Sequence, residues 1–210
     1  MRPWALPFIL LAGLVTPSLA LASLPPCCYS TVPSCVSLVG AYGAVPAADG
    51  EFTVVIRDFA NNPVAGAVVV FDLSNAPDMS FCSDQLDPAA TVNCAGRTVS
   101  KVTAVDGSVR FTLLGGSNGA GNAISLLSAG RIFANGYLMA TPTVSAFDLD
   151  GANGVGASDL SAWLSDFGTG QSYGRSDYDC NGTVGAGDLS LWLTAFGSGT
   201  MATSCGASCP

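Results

Sequence analysis

The sequence contains no histidine, a single glutamate and few charged residues, at 10% of the chain. The absence of histidine excludes Ser–His and Cys–His nucleophile pairs and most zinc hydrolases. Glu51 is the only glutamate, and many aspartates lie in turn-like contexts such as Asp87–Pro88 and Asp106–Gly107. The two facing carboxylates that a glycosidase needs are therefore not evident. We expect a protein that is not an enzyme.

Basic residues are also scarce, since 7 Lys and Arg stand against 15 Asp and Glu, for a net charge of -8. The sequence shows no basic patch, so a nucleic acid is not an expected partner. Seven of the acids fall between Asp148 and Asp188. Much of the negative charge therefore belongs to one short C-terminal region.

Long apolar runs are confined to the N-terminus. Residues 1–22 combine one Arg, an apolar run and an Ala-Leu-Ala end, which predicts a secretory signal peptide cleaved after Ala22. Pro7 and Pro17 interrupt the run, which is short for a bilayer span, and no later stretch is long and apolar enough. We expect an exported protein, secreted or at the cell surface, without membrane insertion after cleavage.

The cysteines number eight and all follow the predicted signal peptide: Cys27, Cys28, Cys35, Cys82, Cys94, Cys180, Cys205 and Cys209. An even number in an exported chain predicts disulfides. We expect Cys82 to pair with Cys94 across one polar loop, and Cys180 to pair with Cys205 or Cys209. The pairing of the others stays open. A zinc site is the alternative, which the lack of His and of a CxxC motif disfavours.

The chain from residue 36 to residue 145 shows the pattern of an all-β domain, and residues 23–35 before it form a Cys-rich segment. In EFTVVIRDF the residues Phe52, Val54 and Ile56 fall on one face of a predicted strand. About 110 residues suffice for an independently folding core.

Two dipeptides in this region are hairpin signals. Asp106–Gly107 interrupts SKVTAVDGSVRFTLL, and Asn135–Gly136 interrupts RIFANGYLMA. Roughly seven short strands with regular turns predict a β-sandwich. The pattern NNPVAGAVVVF…TAVDGSVRFTL resembles the immunoglobulin-like (Ig-like) or prealbumin-like modules of bacterial surface proteins, and this resemblance implies an Ig-like β-sandwich.

Residues 146–199 contain one unit written twice. FDLDGANGVGASDLSAWLSDFGTG begins at Phe147 and SDYDCNGTVGAGDLSLWLTAFGSG begins at Ser176, with an offset of 29 residues and no gap. Repeats of this kind indicate a duplicated supersecondary unit. Residues 200–210 then form a Cys-containing tail.

The second unit has the spacing of an EF-hand calcium loop when Asp177 is counted as position 1. Gly182 at position 6 permits the sharp turn. Asp188, at position 12, is one methylene shorter than the usual Glu and lies in the first helical turn, where a carboxylate is favoured. The candidate ligands at positions 1, 3, 5, 7 (a backbone carbonyl) and 12 are Asp177, Asp179, Asn181, Thr183 and Asp188.

The first unit carries the same acids at three positions: Asp148, Asp150 and Asp159. Position 5 is Ala152 and position 6 is Asn153, so one oxygen is missing and the glycine is replaced. Asn tolerates the left-handed conformation better than most residues. We expect this loop to bind calcium more weakly than the second, or to use water. Plain acidic turns are the alternative for both loops.

An apolar stripe with the i, i+3, i+4, i+7 spacing of a short helix follows each loop. Gly168 and Gly197 are the expected C-terminal stops. Each helix is too short to be stable alone, so the stripe must pack, and we expect the tryptophans in the core. The stripes consist of Leu160, Trp163, Leu164 and Phe167, and of Leu189, Trp192, Leu193 and Phe196.

A tandem of loop-then-helix units without a preceding helix resembles the dockerin module of cellulosome-type proteins. The resemblance covers about a quarter of the chain and implies a calcium-dependent module that docks onto a cohesin domain. It assigns the metal-ligand roles to the eight loop residues named above. Positions 10 and 11, often used for cohesin recognition, are Ala157–Ser158 and Ala186–Gly187, which are small and poor in hydrogen-bonding groups.

The sequence therefore predicts a mainly β protein, an Ig-like β-sandwich followed by a small α-helical dockerin-like module. The first functional hypothesis is an exported, non-catalytic protein whose calcium-binding module docks or anchors the sandwich to a cohesin-like protein or a cell-envelope component. The second is a structural surface, matrix or adhesin protein in which calcium only stabilises the tail. A polysaccharide-associated accessory module is a third, although no exposed aromatic platform is visible.

Overall fold

A computed structural model of the chain describes residues 28–118, 127–152, 154–203 and 209. The predicted signal peptide lies outside these residues. The strands are β1 Cys35–Leu38, β2 Ala41–Tyr42, β3 Val45–Pro46, β4 Glu51–Val55, β5 Val68–Asp72, β6 Met79–Phe81, β7 Thr91–Asn93, β8 Thr98–Val102, β9 Ser108–Thr112, β10 Gly115–Ser117, β11 Arg131–Ala134, β12 Tyr137–Ala140 and β13 Thr143–Ala146. The α-helices are α1 Ala157–Thr169 and α2 Ala186–Ser198.

The described residues are mainly β-structure with two α-helices, as the sequence predicted. One antiparallel sheet has five strands in the order β12-β11-β5-β8-β7, and the other strands form two-stranded pairs. Of these pairs, β4 and β9 are antiparallel, and β1 and β13 are parallel. Within the described part of the chain, no helix is long and apolar enough to span a bilayer.

The larger hydrophobic core lies between the five-stranded sheet and the β4–β9 pair. Phe52 of β4 stacks on Phe111 of β9 with ring centroids 5.4 Å apart, and it lies 6.0 Å from Phe71 of β5. Val54 and Ile56 are fully buried, which confirms the predicted inward face of this segment. Burying each such side chain stabilises the fold by about 1.5–3 kcal/mol.

The two predicted hairpins have different outcomes. Asn135 and Gly136 both have positive φ (48° and 83°) and join the paired strands β11 and β12, so this hairpin is confirmed. The hairpin at Asp106–Gly107 is wrong, because β8 pairs with β5 and β7 whereas β9 pairs with β4. The tight turn is present, with Gly107 at φ 75°. It connects two strands that have different pairing partners, although Val99 before it and Val109 after it both belong to the larger core.

The helices extend one residue beyond the predicted stops. They end at Thr169 and Ser198, and the left-handed residues that cap them are Gly170 (φ 67°) and Gly199 (φ 66°). A glycine adopts this conformation without a Cβ clash, which explains its place after the last helical turn. The earlier glycines, at 168 and 197, remain within the helices.

Only part of each predicted apolar stripe is buried. Trp163 and Trp192 are 2% and 1% exposed, so the prediction that they lie in a core is confirmed. Leu160 and Leu189 are partly buried. The other four members are about half exposed because the packed face is rotated. In α1 this face consists of Asp159, Trp163 and Asp166. The exposed members are Leu164 and Phe167 (51% each), Leu193 (47%) and Phe196 (49%).

A second hydrophobic cluster joins the repeat to the β-rich part of the chain. Both tryptophans pack there with Val39 and Leu114, which follow β1 and β9. Phe147 and Tyr178 stack in the same cluster with ring centroids 4.6 Å apart. The helices are therefore stabilised by burial against the β-strands as well as by contacts within the repeat.

Both disulfide predictions are wrong. Cys94 bonds Cys209, with a Cα–Cα distance of 4.9 Å, and Cys35 bonds Cys180, at 6.1 Å. Cys82, which is itself disulfide-bonded, lies in the second cluster, whereas Cys94 packs against the larger core. The two therefore pack against different hydrophobic clusters, despite their proximity in sequence. Positions 27 and 205 lie outside the described residues.

Asp166 and Arg175 form a buried ion pair that the sequence did not reveal. The two carboxylate oxygens of Asp166 accept bonds of 2.7 Å from Nε and from a terminal nitrogen of Arg175. Asp166 also accepts a 2.6 Å bond from the Ser176 hydroxyl. In the other half of the repeat the equivalent positions are Ala195 and Ala146. The ion pair thus breaks the internal symmetry and holds α1 against the segment before the second loop.

We predict that Asp166→Ala lowers the free energy of unfolding by about 3–5 kcal/mol, because it leaves the Arg175 charge buried without a partner. Urea unfolding of the full chain measures this. The control is Glu51→Ala, which removes an exposed pair with Arg110 at 3.5 Å and should cost less than about 1 kcal/mol. Equal costs for the two variants would contradict the assignment.

Candidate metal centre

Each acidic loop brings its three aspartates together. In loop 1 (residues 148–159) and in loop 2 (residues 177–188), oxygens from positions 1, 3 and 12 lie within 4.8 Å of one another. Either cluster could hold a metal ion. The residues are Asp148, Asp150 and Asp159 in loop 1, and Asp177, Asp179 and Asp188 in loop 2.

The aspartate at position 12 organises each loop from the first turn of the following helix. Asp188 accepts the backbone N–H groups of Tyr178 (2.7 Å) and Asp179 (3.0 Å) on one oxygen and that of Gly185 (2.8 Å) on the other. Asp159 makes the same three bonds in loop 1, at 2.6, 3.0 and 2.7 Å. Both side chains are fully buried. These bonds fix both carboxylates at the start of the helix that follows each loop.

Asp177 provides the clearest indication that loop 2 is suited to a cation. It is fully buried, and one oxygen accepts the N–H of Gly182 at 3.1 Å. Its other oxygen, Oδ1, is buried and has no hydrogen-bond partner in the described structure. A buried carboxylate oxygen without a partner is costly, and a cation is the natural partner inside a cluster of three carboxylates. The residues of loop 2 therefore fit a metal ion.

Asn181 and Thr183 lie on the exposed side of loop 2. The Asn181 side-chain oxygen accepts both the backbone N–H of Thr183, at 2.9 Å, and its hydroxyl. The Asn181 amide donates to Asp179 at 2.9 Å. Gly182 has φ 88°, in agreement with the sharp turn predicted at position 6. These contacts hold the middle of the loop close to its acidic cluster.

Loop 1 differs from loop 2 in its surroundings. Ala152, at position 5, is exposed and supplies no side-chain oxygen, while the residue at position 6 is not among those described. The loop borders a polar cavity of about 180 Å³ that is shared with β6 and β10. Ser117 of β10 donates its N–H to the Asp148 carbonyl at 2.8 Å. A Cβ on Gly151 would lie 2.6 Å from the Ser117 carbonyl oxygen, so only glycine fits there. Loop 1 is thus built against the β-rich part of the chain.

Position 4 of loop 2 is anchored covalently. Cys180 bonds Cys35 at the start of β1 and has φ 56°; at the equivalent position Gly151 has φ 73°. A positive φ is uncommon for a residue with a Cβ. The disulfide therefore holds loop 2 to the β-rich part of the chain at a backbone position that glycine occupies in loop 1.

The electrostatics of the metal-free loops disfavour their full ionisation. Burial raises the pKa of Asp148 to about 7, and the charges of Asp159 and Asp150 act in the same direction. Burial also raises the pKa of Asp159 and that of Asp177, and the other two carboxylates of loop 2 add to the effect on Asp177. A bound cation would reverse these shifts, because it favours the ionised carboxylates.

Tyr178 and Gly187 contribute to loop 2 in ways that the motif did not indicate. Tyr178, at position 2, is buried, and its hydroxyl donates to the Ala146 carbonyl at 3.0 Å. A Cβ on Gly187, at position 11, would lie 2.7 Å from Asp179 Oδ2. In the sequence, these two roles could have been suspected only from the internal repeat. The equivalent residues of the first unit are Leu149 and Ser158, so both positions differ between the two units.

Comparison with known proteins gives no relative for this chain: no family model, no curated protein and no solved structure matches it.

We predict that the metal-free chain becomes less stable as the pH rises from 5 to 7. The pKa of Asp148 is about 7 in the fold and 3.8 without its surroundings, so the folded state binds more protons in this range. The stabilising contribution is fully present below the unfolded pKa and is lost as the pH rises through about 7. The urea midpoint of calcium-free protein at pH 5, 6 and 7 measures the trend.

The control for this trend is Asp148→Asn, which should flatten it. Asp58, Asp87 and Asp106 have lowered pKa values. They are ionised in both states above pH 5, so they do not affect the slope in this range. A midpoint that rises from pH 5 to pH 7 in the unmodified chain would contradict the prediction.

Proposed function

We propose that this chain is an exported, non-catalytic protein in which a calcium-binding, dockerin-like repeat pair docks or anchors an Ig-like β-sandwich to a partner. The observation that carries the proposal is the unpartnered, buried Oδ1 of Asp177 inside a cluster of three carboxylates. A second cluster in the same register, 29 residues earlier, supports it.

Calcium is the cation that this chemistry favours. Both clusters offer carboxylate oxygens, with further side-chain and backbone oxygens in loop 2, and hard divalent cations take such ligands. Cys180, which lies within loop 2, is engaged in a disulfide with Cys35 and is not a thiolate ligand. Zinc therefore gains no support from the arrangement. The same disulfides are typical of an oxidising, extracellular environment.

The exposed faces of α1 and α2 support a docking role. Leu164 and Phe167 on α1, and Leu193 and Phe196 on α2, occupy equivalent positions and are each about half exposed. No charged side chain is exposed on either helix, since the aspartates of both are buried. Apolar, uncharged faces of this kind are typical of contact surfaces. A cohesin-like protein or a cell-envelope component is the proposed partner.

The shared second core favours a structural role as the other candidate, in which calcium only stabilises the C-terminal part. Val39 and Leu114 pack with both tryptophans, and the Cys35–Cys180 disulfide ties loop 2 to β1. Retention of the chain by an immobilised cohesin only when calcium is present would favour docking. Calcium-dependent stability without any retained partner would favour the structural role.

We predict opposite effects of Asp177→Asn on the stability of the metal-free chain and on calcium binding. The amide removes a buried charge from the cluster, so the metal-free melting temperature should rise. Calcium affinity at loop 2 should fall by more than about tenfold, because position 1 loses its charge. Calorimetric titration and thermal unfolding of the full oxidised chain measure the two effects.

The stabilisation of the unmodified chain by calcium provides the scale for this experiment. Calcium at 100 times its dissociation constant should stabilise the unmodified chain by roughly 2.7 kcal/mol for each site. Asp84→Asn, which alters an exposed turn aspartate bonded to the N–H of Leu86, is the matched control and should leave the titration unchanged. Calcium binding that is equal in Asp177→Asn and in the unmodified chain would sink the proposal.

A further inference from the structure

The two tryptophans make reciprocal hydrogen bonds between the halves of the repeat. The indole N–H of Trp163 on α1 donates to the Ser176 carbonyl at 3.3 Å, and that of Trp192 on α2 donates to the Phe147 carbonyl at 3.1 Å. Ser176 directly precedes Asp177, and Phe147 directly precedes Asp148. Each helix therefore contacts the chain immediately before the first ligand of the other loop.

Each helix also carries the last ligand of its own loop. In α1, Asp159 of loop 1 lies four residues before Trp163, and in α2, Asp188 of loop 2 lies four residues before Trp192. Residues four apart lie on the same face of a helix, one turn from each other. The position-12 carboxylate of one loop and the tryptophan that contacts the other loop are therefore one helical turn apart.

The tryptophans resist separation from their partners. Both side chains are almost fully buried, and a buried indole N–H that loses its acceptor costs about 1–3 kcal/mol. Their rings also stack on exposed neighbours of the same helix, with centroids 5.5 Å apart for Trp163 and Phe167 and 5.4 Å apart for Trp192 and Phe196. The indole N–H, rather than the stacking, is what joins the two halves.

Tyr178 of loop 2 makes further contacts with the residues that precede loop 1. Its backbone N–H donates to Asp188, its hydroxyl donates to the Ala146 carbonyl, and its ring stacks on Phe147. A side chain in loop 2 therefore contacts the two residues that lead into Asp148. The equivalent position in loop 1 is Leu149, which has no hydroxyl.

We infer that the two loops bind their cations with positive cooperativity, and that Trp163 and Trp192 are positioning residues that couple them. This inference rests on the proposed calcium binding, for which the unpartnered oxygen of Asp177 is independent support. Binding of a cation in one loop fixes the position of its helix, and the tryptophan of that helix then holds the first aspartate of the other loop in place. By thermodynamic linkage each loop raises the affinity of the other by the same factor, about fivefold or more.

The test is a calcium titration of the full oxidised chain by calorimetry. Asp148→Asn and Asp177→Asn, which change equivalent positions, each leave a single working loop and give its intrinsic affinity. In the unmodified chain the product of the two stepwise association constants should exceed the product of the two single-loop constants by about fivefold or more. A ratio of one, or a single binding site in the unmodified chain, would overturn the inference.

The role of the tryptophans is tested by Trp163→Phe and Trp192→Phe. Each should reduce the ratio of the product of the stepwise constants to the product of the single-loop constants toward one. Phe167→Leu and Phe196→Leu are the controls, because they alter the stacked neighbours and leave the indole N–H in place. If a phenylalanine variant does not fold, replacement of the same tryptophan by benzothienylalanine, which keeps its shape without the N–H, decides the matter. An unchanged ratio in the folded variant would refute the coupling role. Absence of any calcium binding would instead refute the proposed function.

Discussion

Mutual repulsion among three converging carboxylates is the constraint on which the C-terminal part of this structure depends. In each loop a fully buried aspartate from the first helical turn meets two others within 4.8 Å. Backbone N–H groups neutralise part of that charge, but Asp177 keeps a buried oxygen without a partner. A buried carboxylate oxygen without a partner is costly when ionised, and a cation would supply the missing counter-charge. The metal is thus the expected counter-charge of a loop that the fold already organises.

The position of the loops connects this constraint to the rest of the chain. Strand β13 runs directly into loop 1, and its parallel partner β1 begins at Cys35, which is bonded to Cys180 of loop 2. The aromatic residues before and within the loops pack in one cluster with residues that follow β1 and β9. The loops and the β-rich part of the chain are therefore joined by packed side chains and by a covalent bond. A tail that is merely tethered would not have these contacts.

Local features were predictable from the sequence, and long-range pairings were not. The acidic clusters form because their ligands lie within twelve residues, and the Asn135–Gly136 hairpin forms because its turn geometry suits two adjacent strands. The turn at Gly107 has the same local character, yet the strands on its two sides pair with different partners that are distant in sequence, β8 with β5 and β9 with β4. The buried face of both helices was misjudged for a similar reason: the equivalent residues Asp166 and Ala195 are buried, which depends on packing against the rest of the chain and not on the helix's own apolar spacing. Disulfide partners such as Cys94 and Cys209 are 115 residues apart, beyond the reach of local patterns.

The most direct test of this account is an anomalous difference map from crystals of the full chain grown with calcium. The account predicts a calcium peak in each loop, with the carboxylate oxygens of positions 1, 3 and 12 as ligands at about 2.3–2.6 Å. In loop 2, Oδ1 of Asp177 should be one of those ligands. A map without anomalous density beside Asp177, at calcium concentrations typical of the extracellular medium, would contradict it and leave the loops as acidic turns.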